Sequence, residues 1–201
     1  DEDRDVALVE AAREALGPKP ELLLDTGWFN LRTPKEAIRL VKRLEPFRPF
    51  FVEELLHPED YDGYAQVADA VDVQIACGEQ ESTEWGFRLL IERGKVDVIQ
   101  PDISRCGGLT TARKIVHMAD LHNRLCVPHA WSSDLLTAAS LHLNAFMRRS
   151  VFLEFNSTSG PLSREICKEP LVMKDGYVDV PQSPGLGVEI NEKAITRYRI
   201  Q

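Results

Sequence analysis

The sequence predicts an α/β fold, namely the C-terminal part of a TIM-type (β/α) barrel with about six of its eight βα units. Short apolar runs, too brief for helices, alternate with amphipathic segments of helical periodicity. Nearly every run also ends in a charged or titratable residue, with a regular spacing of about 25 residues. The carboxyl ends of barrel strands form an active-site face, which accounts for this recurrence. A doubly wound open sheet is the rival fold, but it would not require polar groups at every successive strand end.

Six apolar runs are predicted to form the strands. Continuous apolar runs are typical of parallel strands that are covered on both faces. Because a closed barrel has about eight strands, these runs are interpreted as strands 3 to 8, and two more are expected upstream. The runs are ELLLD at 21–25, FFVEE at 50–54, VQIACGE at 73–79, VDVIQPD at 96–102, RLCVPHA at 124–130 and VFLEF at 151–155.

Amphipathic segments between the runs carry helix signals. The chain starts inside one such segment, over residues 6–16, so we expect the natural start of the protein to lie upstream. Thr33, Pro34 and Glu36 match a capping box with proline at the first helical position, which predicts that a helix begins there. Further helices are predicted over 82–94 and 111–121.

The chain is predicted to divide into a barrel part and a tail. Residues 1–160 would form the partial barrel. Residues 161–201 would form a C-terminal tail with a short strand over 177–180 and a PGLG turn at 184–187. We expect this tail to pack toward a capping domain that is absent from this chain.

Composition and charge exclude several classes of protein. The 24 basic and 32 acidic side chains give a formal net charge of −8, which argues against binding to nucleic acid or to an anionic membrane surface. The sequence has no apolar stretch that approaches the roughly 18 residues of a membrane span. Four cysteines without a CxxC pair argue against a disulfide framework or a structural zinc site. We therefore expect a cytoplasmic protein.

Three carboxylates that end consecutive runs are candidate metal ligands. In a barrel, the oxygens of Asp25, Glu53 and Glu79 would lie within reach of one point above the core. Like charges in a low-dielectric cleft require a counter-charge, and an all-oxygen ligand set selects Mg²⁺ or Mn²⁺. Glu54 points to the opposite face of an ideal strand from Glu53, so only one of the two can face inward. The alternative interpretation is that each carboxylate caps the turn after its strand.

The next three strand ends carry candidate acid and base groups. A buried Asp102 bonded to one nitrogen of His129 would fix the tautomer and raise the basicity of the other nitrogen. Glu154 ends the series and could donate a hydrogen bond if its carboxyl group were protonated. The alternatives are a histidine satisfied by a loop carbonyl and a glutamate that faces solvent. The remaining four histidines are interpreted as structural: His57, His117, His122 and His142.

Several short strings, in this order and spacing, resemble the mandelate racemase subgroup of the enolase superfamily. The resemblance is strongest to its acid-sugar dehydratases, particularly those of the L-rhamnonate type, and it extends over essentially the whole chain. The strings are VEE at 52–54, GEQ at 78–80, QPDISRCGGLT at 100–110, VPH at 127–129, LEF at 153–155 and PGLGVEIN at 184–191.

The resemblance implies a Mg²⁺-dependent lyase that acts on a sugar acid. Asp25, Glu53 and Glu79 would bind the metal, and Asp102 and His129 would form an acid/base dyad. Glu154 would donate a hydrogen bond to the developing enolate. Apart from the resemblance, the position of Trp131 just after His129 makes it a candidate wall of the substrate pocket, and a packing role is the alternative. A homo-oligomer is expected, as in many members of this family.

Two alternatives remain open at this point. A racemase or epimerase of a 2-hydroxy acid would need a second base on the opposite face, such as the Lys-x-Lys that this subgroup commonly places on the second barrel strand. A hypothesis outside the enzyme class is that the chain is an inactive barrel fragment. Its exposed strand edges would favour aggregation, dimerisation or pairing with a partner chain. Gly27 and Leu55 depart from the residues usual in the subgroup, which leaves the identity of the sugar acid undecided.

Overall fold

A computed structural model describes residues 1–157 and 160–200 and contains a parallel sheet of five strands in sequential order. Each strand pairs in parallel with the next one along the chain, and helices connect them. This arrangement confirms the predicted α/β fold and corresponds to a partial barrel. The strands are β1 (Leu23–Asp25), β2 (Phe51–Glu53), β3 (Gln74–Cys77), β4 (Val98–Ile99) and β5 (Leu125–Cys126).

Eight α-helices accompany the sheet within the described residues. They are α1 (Glu2–Leu16), α2 (Pro34–Leu44), α3 (Tyr61–Ala68), α4 (Thr83–Glu92), α5 (Gly108–Leu121), α6 (Asp134–Phe146), α7 (Pro161–Glu165) and α8 (Glu192–Tyr198). Two short 3₁₀ helices lie at Trp28–Asn30 and Glu45–Phe47. None of these helices is both long enough and apolar enough to cross a membrane.

The start of α2 shows how the sequence specifies a helix end. The side chain of Thr33 accepts a hydrogen bond from the backbone N–H of Glu36, and the Glu36 carboxylate accepts one from the Thr33 N–H at 2.8 Å. This is the capping box predicted from the sequence, with Pro34 at the first helical position. The helix buries four apolar residues, of which Ala37 and Val41 join the core cluster that contains the strands: Ala37, Leu40, Val41 and Leu44.

The sheet separates two apolar layers. Side chains alternate between its faces, so Val52, Ile75 and Ile99 pack into the larger core beneath the helices. The opposite, inner face carries a smaller cluster that Phe50 and Phe152 join with ring centroids 5.0 Å apart. The cluster consists of Phe51, Ala76, Val98, Leu125 and Val127. Glu53 follows Phe51 by two positions and Gln100 follows Val98 by two positions, so both side chains lie on this inner face.

Two predicted strands are wrong. Among the described residues, 151–155 joins no sheet, and two of its hydrogen bonds run between a side chain and the backbone. The Phe152 carbonyl accepts from the Asn144 amide at 2.8 Å, and the Glu154 carboxylate accepts from the Ala130 N–H at 2.5 Å. The segment 177–180 contributes only a single antiparallel bridge from Tyr177 to Lys174, which closes a tight turn.

Hydrogen bonds from Arg13 connect α1 to the rest of the protein. This helix has no buried residue of its own. The Arg13 guanidinium donates hydrogen bonds to the carbonyls of Phe47 at 2.8 Å and of Pro20 at 2.8 Å, and further bonds to those of Gly17 and Arg48. Arg13 thus anchors a helix without buried residues, together with the ion pairs that Glu2 and Asp3 form with arginines of α2.

An Arg13→Met substitution is expected to lower the free energy of unfolding by about 2 kcal/mol, because the lost hydrogen bonds involve a charged donor. Urea unfolding of the full protein measures this change. Arg4→Met, at an exposed position of the same helix, is the matched control and should change stability by less than about 0.5 kcal/mol. Equal effects of the two substitutions would contradict the anchoring role.

Candidate active site

The carboxyl ends of the strands surround one cavity of about 580 Å³. Asp25 and Glu53 are the last residues of β1 and β2 and lie opposite each other in the parallel register. The cavity is also lined by polar side chains from the segments after β3, β4 and β5 and from 151–155, namely Glu79, Gln100, His129 and Glu154. Its floor is apolar, with Leu23, Phe51, Val127 and Phe152. Five of the six predicted titratable residues therefore face one space, and Asp102 lies behind His129.

Asp102 and His129 form a buried hydrogen-bonded pair. The His129 Nδ1 lies 2.8 Å from Asp102 Oδ2, and the two residues are 7% and 2% exposed. The other Asp102 oxygen accepts hydrogen bonds from the backbone N–H of Ser104 at 2.7 Å and from its hydroxyl at 2.5 Å. Burial acts to raise the pKa of Asp102, but the hydrogen bonds from His129 and Ser104 outweigh it and hold the pKa below its usual value. Asp102 is therefore an ionised orienting group.

His129 presents its second nitrogen to the cavity. Burial acts to lower the pKa of His129, whereas the hydrogen bond with Asp102 and the charges of Glu154 and Glu79 raise it, and the net direction is upward. The Nε2 atom lies 3.4 Å from a carboxylate oxygen of Glu79. A histidine with this environment can exchange a proton with a molecule in the cavity.

The carboxylates of the cavity carry more negative charge than the protein compensates. Burial raises the pKa of Glu53 to about 8, and the charges of Asp25, Glu154 and Glu79 act in the same direction. Burial also raises the pKa of Glu154, in spite of the Ala130 N–H that donates to its carboxylate. A bound cation would remove this excess of negative charge.

The donor set fits a hard divalent cation by its chemistry. Asp25, Glu53 and Glu79 supply only oxygen atoms to one cavity, as Mg²⁺ prefers. In the arrangement seen, no three His, Cys, Asp or Glu side chains of residues 1–157 and 160–200 come close enough together to hold a metal ion. The oxygens have other partners: Asp25 accepts from the Gly27 N–H at 2.8 Å, and Glu53 accepts from the Gln100 amide. Joint ligation would require these three carboxylate groups to come closer together.

Glu54 takes a different direction from Glu53. Its backbone is left-handed, with φ of 52°, and its side chain is 1% exposed and outside the cavity. The carboxylate accepts a hydrogen bond from the Gly78 N–H at 3.1 Å, next to Glu79. Burial raises the pKa of Glu54 to about 7. Glu54 thus supports the loop after β3, while Glu53 faces the cavity.

Trp131 and Gln100 also line the cavity. Trp131 is 53% exposed and lies at the rim of the cavity, where sequence analysis predicted a wall. Gln100 is 6% exposed and lines the cavity, although sequence analysis assigned it no role. The signal that could have found it is the alternation along β4, which places Gln100 on the same inner face as Val98.

Comparison with known proteins decides the family. A family model described as Enolase C-terminal domain-like matches residues 1–194. The chain belongs to the enolase C-terminal domain-like family. This match confirms the resemblance that the sequence strings carry.

Proteins similar to this enolase-family chain include enzymes named for sugar acids and their derivatives. D-galactarolactone cycloisomerase of Agrobacterium fabrum is 34% identical over 98% of this chain and 54% of its own length. D-galactonate dehydratase of Pectobacterium atrosepticum is 35% identical over 96% of this chain and 52% of its own length. The chain thus spans about half the length of these curated relatives.

Solved structures similar to this enolase-family chain share its fold. The 3,6-anhydro-D-galactonate cycloisomerase from Zobellia galactanivorans superposes with a TM-score of 0.90 at 34% identity, over 98% of this chain and 55% of that chain. A mandelate racemase/muconate lactonizing enzyme from Sulfitobacter sp. gives a TM-score of 0.88 at 32% identity, over 96% of this chain and 48% of that chain. The fold and the family therefore agree.

Proposed function

We propose that the protein carrying this chain catalyses Mg²⁺-dependent dehydration of a sugar acid, converting a 2,3-dihydroxy acid to a 2-keto-3-deoxy acid. The observation that carries the proposal is the buried pair of Asp102 and His129, whose free nitrogen faces a cavity lined by four carboxylates. Relatives named as dehydratases of galactonate, xylonate and gluconate support the substrate class.

The chain's own residues would move protons and hold the substrate. A base removes the proton from C2, the bond between C3 and its hydroxyl breaks, and His129 gives its Nε2 proton to the departing hydroxyl so that it leaves as water. Asp102 keeps the proton of Nδ1 in place and so fixes the tautomer. Glu154 would donate a hydrogen bond to the enolate when its carboxyl group is protonated, which its raised pKa favours. The resulting enol then takes a proton at C3 and becomes the ketone.

Asp25, Glu53 and Glu79 would hold the divalent cation. Bound there, Mg²⁺ would supply positive charge that stabilises the anion formed when C2 loses its proton. The base that takes the C2 proton is either His129 itself, as the resemblance to the L-rhamnonate type implies, or a lysine of the second barrel strand. We further propose a cytoplasmic homo-oligomer that binds no nucleic acid, with a barrel part over 1–160 and a tail over 161–201.

The experiment that tests this function is incubation of the full protein with Mg²⁺ and a panel of sugar acids in D₂O. Formation of a 2-keto-3-deoxy acid, detected as its semicarbazone, is the expected result. Exchange of the C2 proton without loss of water would instead indicate a racemase or epimerase. Neither reaction with any acid or lactone of the panel would contradict an enolase-type activity and favour the inactive barrel fragment.

Trp131 is expected to act on substrate binding more than on turnover. A Trp131→Ala substitution removes an indole at the rim of the cavity and should raise KM about tenfold while kcat falls less than threefold. Steady-state kinetics with the best sugar acid measures both constants. Trp85→Ala, at an exposed position of α4 outside the cavity lining, is the control and should change neither. A loss confined to kcat would contradict this role.

A further inference from the structure

Gln100 is a buried polar side chain that the proposed reaction does not use. Its amide Nε2 donates a hydrogen bond to Oε2 of Glu53. Its Oε1 is buried and has no hydrogen-bond partner in the part of the chain that the structure describes. A buried amide oxygen without a partner lowers the stability of the folded protein, so the presence of this side chain calls for an explanation.

The backbone holds Gln100 in one place. Its N–H donates to the Cys77 carbonyl at 3.1 Å, which continues the pairing of β3 with β4. Gly78, with φ of 136°, packs so closely that a Cβ there would lie 3.1 Å from the Gln100 nitrogen and 2.8 Å from the Phe87 ring. The amide is therefore carried by a rigid part of the sheet, as the support of a metal ligand requires.

The direction of the hydrogen bond between Gln100 and Glu53 bears on the role of Glu53 as a metal ligand. The NH₂ group is the only donor of the Gln100 side chain, so its hydrogen bond to Oε2 of Glu53 sets the orientation of the amide. Gln100 donates to Oε2 of Glu53, and the cavity that Glu53 lines is also lined by Asp25 and Glu79. This hydrogen bond therefore restricts the rotation of the Glu53 carboxylate.

We propose that Gln100 is a positioning residue that orients Glu53 for binding of the divalent cation through one carboxylate oxygen. This inference rests on the proposed function, because it presumes the metal site of Asp25, Glu53 and Glu79. Gln100 contacts the ligand and not the reacting atoms, so its effect falls first on metal affinity. Outer partners of metal ligands commonly contribute 10-fold to 100-fold in affinity.

Mn²⁺ binding by the metal-stripped full protein tests the proposal, with the free Mn²⁺ signal followed by electron paramagnetic resonance. Gln100→Met keeps the length of the side chain without donors, and Gln100→Asn keeps the amide but shortens its reach. Both should raise the Kd for Mn²⁺ about tenfold or more. Thermal unfolding of each variant shows that it is folded, and if Gln100→Met does not fold, Gln100→Asn decides.

Gln74→Leu is the matched control. Gln74 is the first residue of β3 and lies outside the cavity lining. Its amide donates to the Phe50 carbonyl at 3.1 Å. This substitution should change the Kd for Mn²⁺ less than twofold. The proposal is overturned if the Gln100 variants bind Mn²⁺ as tightly as the wild type or more tightly, or if Gln74→Leu weakens binding equally. Failure of the wild type to bind Mn²⁺ would contradict the proposed function itself, and this inference with it.

Discussion

A His129→Asn substitution is expected to lower kcat for sugar-acid dehydration by about 10³-fold, because a positioned acid/base group contributes about 10² to 10⁴ in rate. The asparagine amide can still donate to Asp102, so the buried carboxylate keeps a partner. It has no group that titrates near neutral pH and therefore cannot deliver a proton to the departing hydroxyl. Steady-state kinetics with saturating Mg²⁺ measures the loss.

Two controls separate lost chemistry from lost structure. The Kd for Mn²⁺ of His129→Asn should stay within about threefold of the wild type, since His129 is not a proposed ligand. His142→Asn changes a histidine on α6 that contacts the Leu186 carbonyl at 3.2 Å and lies outside the cavity lining, and it should leave kcat within twofold. Retention of more than a tenth of wild-type activity by His129→Asn would contradict the acid/base role.

A Glu53→Gln substitution is expected to abolish metal-dependent activity and to raise the Kd for Mn²⁺ by at least 100-fold. The glutamine carbonyl can still accept the hydrogen bond from Gln100, so the change removes the charge and keeps the shape. A neutral amide is a poorer ligand for a hard cation than a carboxylate. Titration with Mn²⁺ measures the affinity, and Glu54→Gln, which alters the neighbouring carboxylate outside the cavity, is the control. Similar losses in both variants would contradict the assignment of Glu53 as a ligand.

The same substitution should stabilise the metal-free protein. The pKa of Glu53 is raised to about 8 in the folded protein from its ordinary value of 4.5, so the folded state holds a proton that the unfolded state has lost. The wild type therefore loses stability as the pH rises from 4.5 to 8, and Glu53→Gln is spared this loss. Unfolding in EDTA should show a variant whose advantage grows across that window and then levels off. An advantage independent of pH would contradict the burial of an ionisable Glu53.

The sequence predicts the sheet well where a strand is buried on both faces and therefore consists of a continuous apolar run. All five observed strands lie inside predicted runs. The run 151–155 is apolar like the five runs that form strands. Whether such a run pairs also depends on which backbone groups of the neighbouring segment are free to bond with it. There, the Glu154 carboxylate takes the Ala130 N–H and the Asn144 amide takes the Phe152 carbonyl. Such competition between side chain and backbone leaves no trace in an apolar pattern.

Most residues of the candidate site could be predicted because they are titratable, whereas a neutral residue of the site was missed. Asp25, Glu53 and His129 stand out because they end apolar runs with titratable groups. Gln100 occupies an equivalent inner position but is neutral, so a search for titratable strand ends passes over it. The partners of each carboxylate oxygen depend on side-chain rotation in three dimensions, which residue spacing does not encode.

The sequential order of the strands has a consequence for how the chain reaches its fold. Paired positions such as Leu24 with Val52, and Ile99 with Cys126, lie 22 to 28 residues apart throughout the sheet. The entropy lost on closing a loop grows slowly with its length, so each added strand meets a similar and modest barrier. Parallel pairing across such separations is slower than local helix formation, because each loop must close before the strands pair. During synthesis, the sheet can therefore grow one strand at a time in the order in which the ribosome releases them.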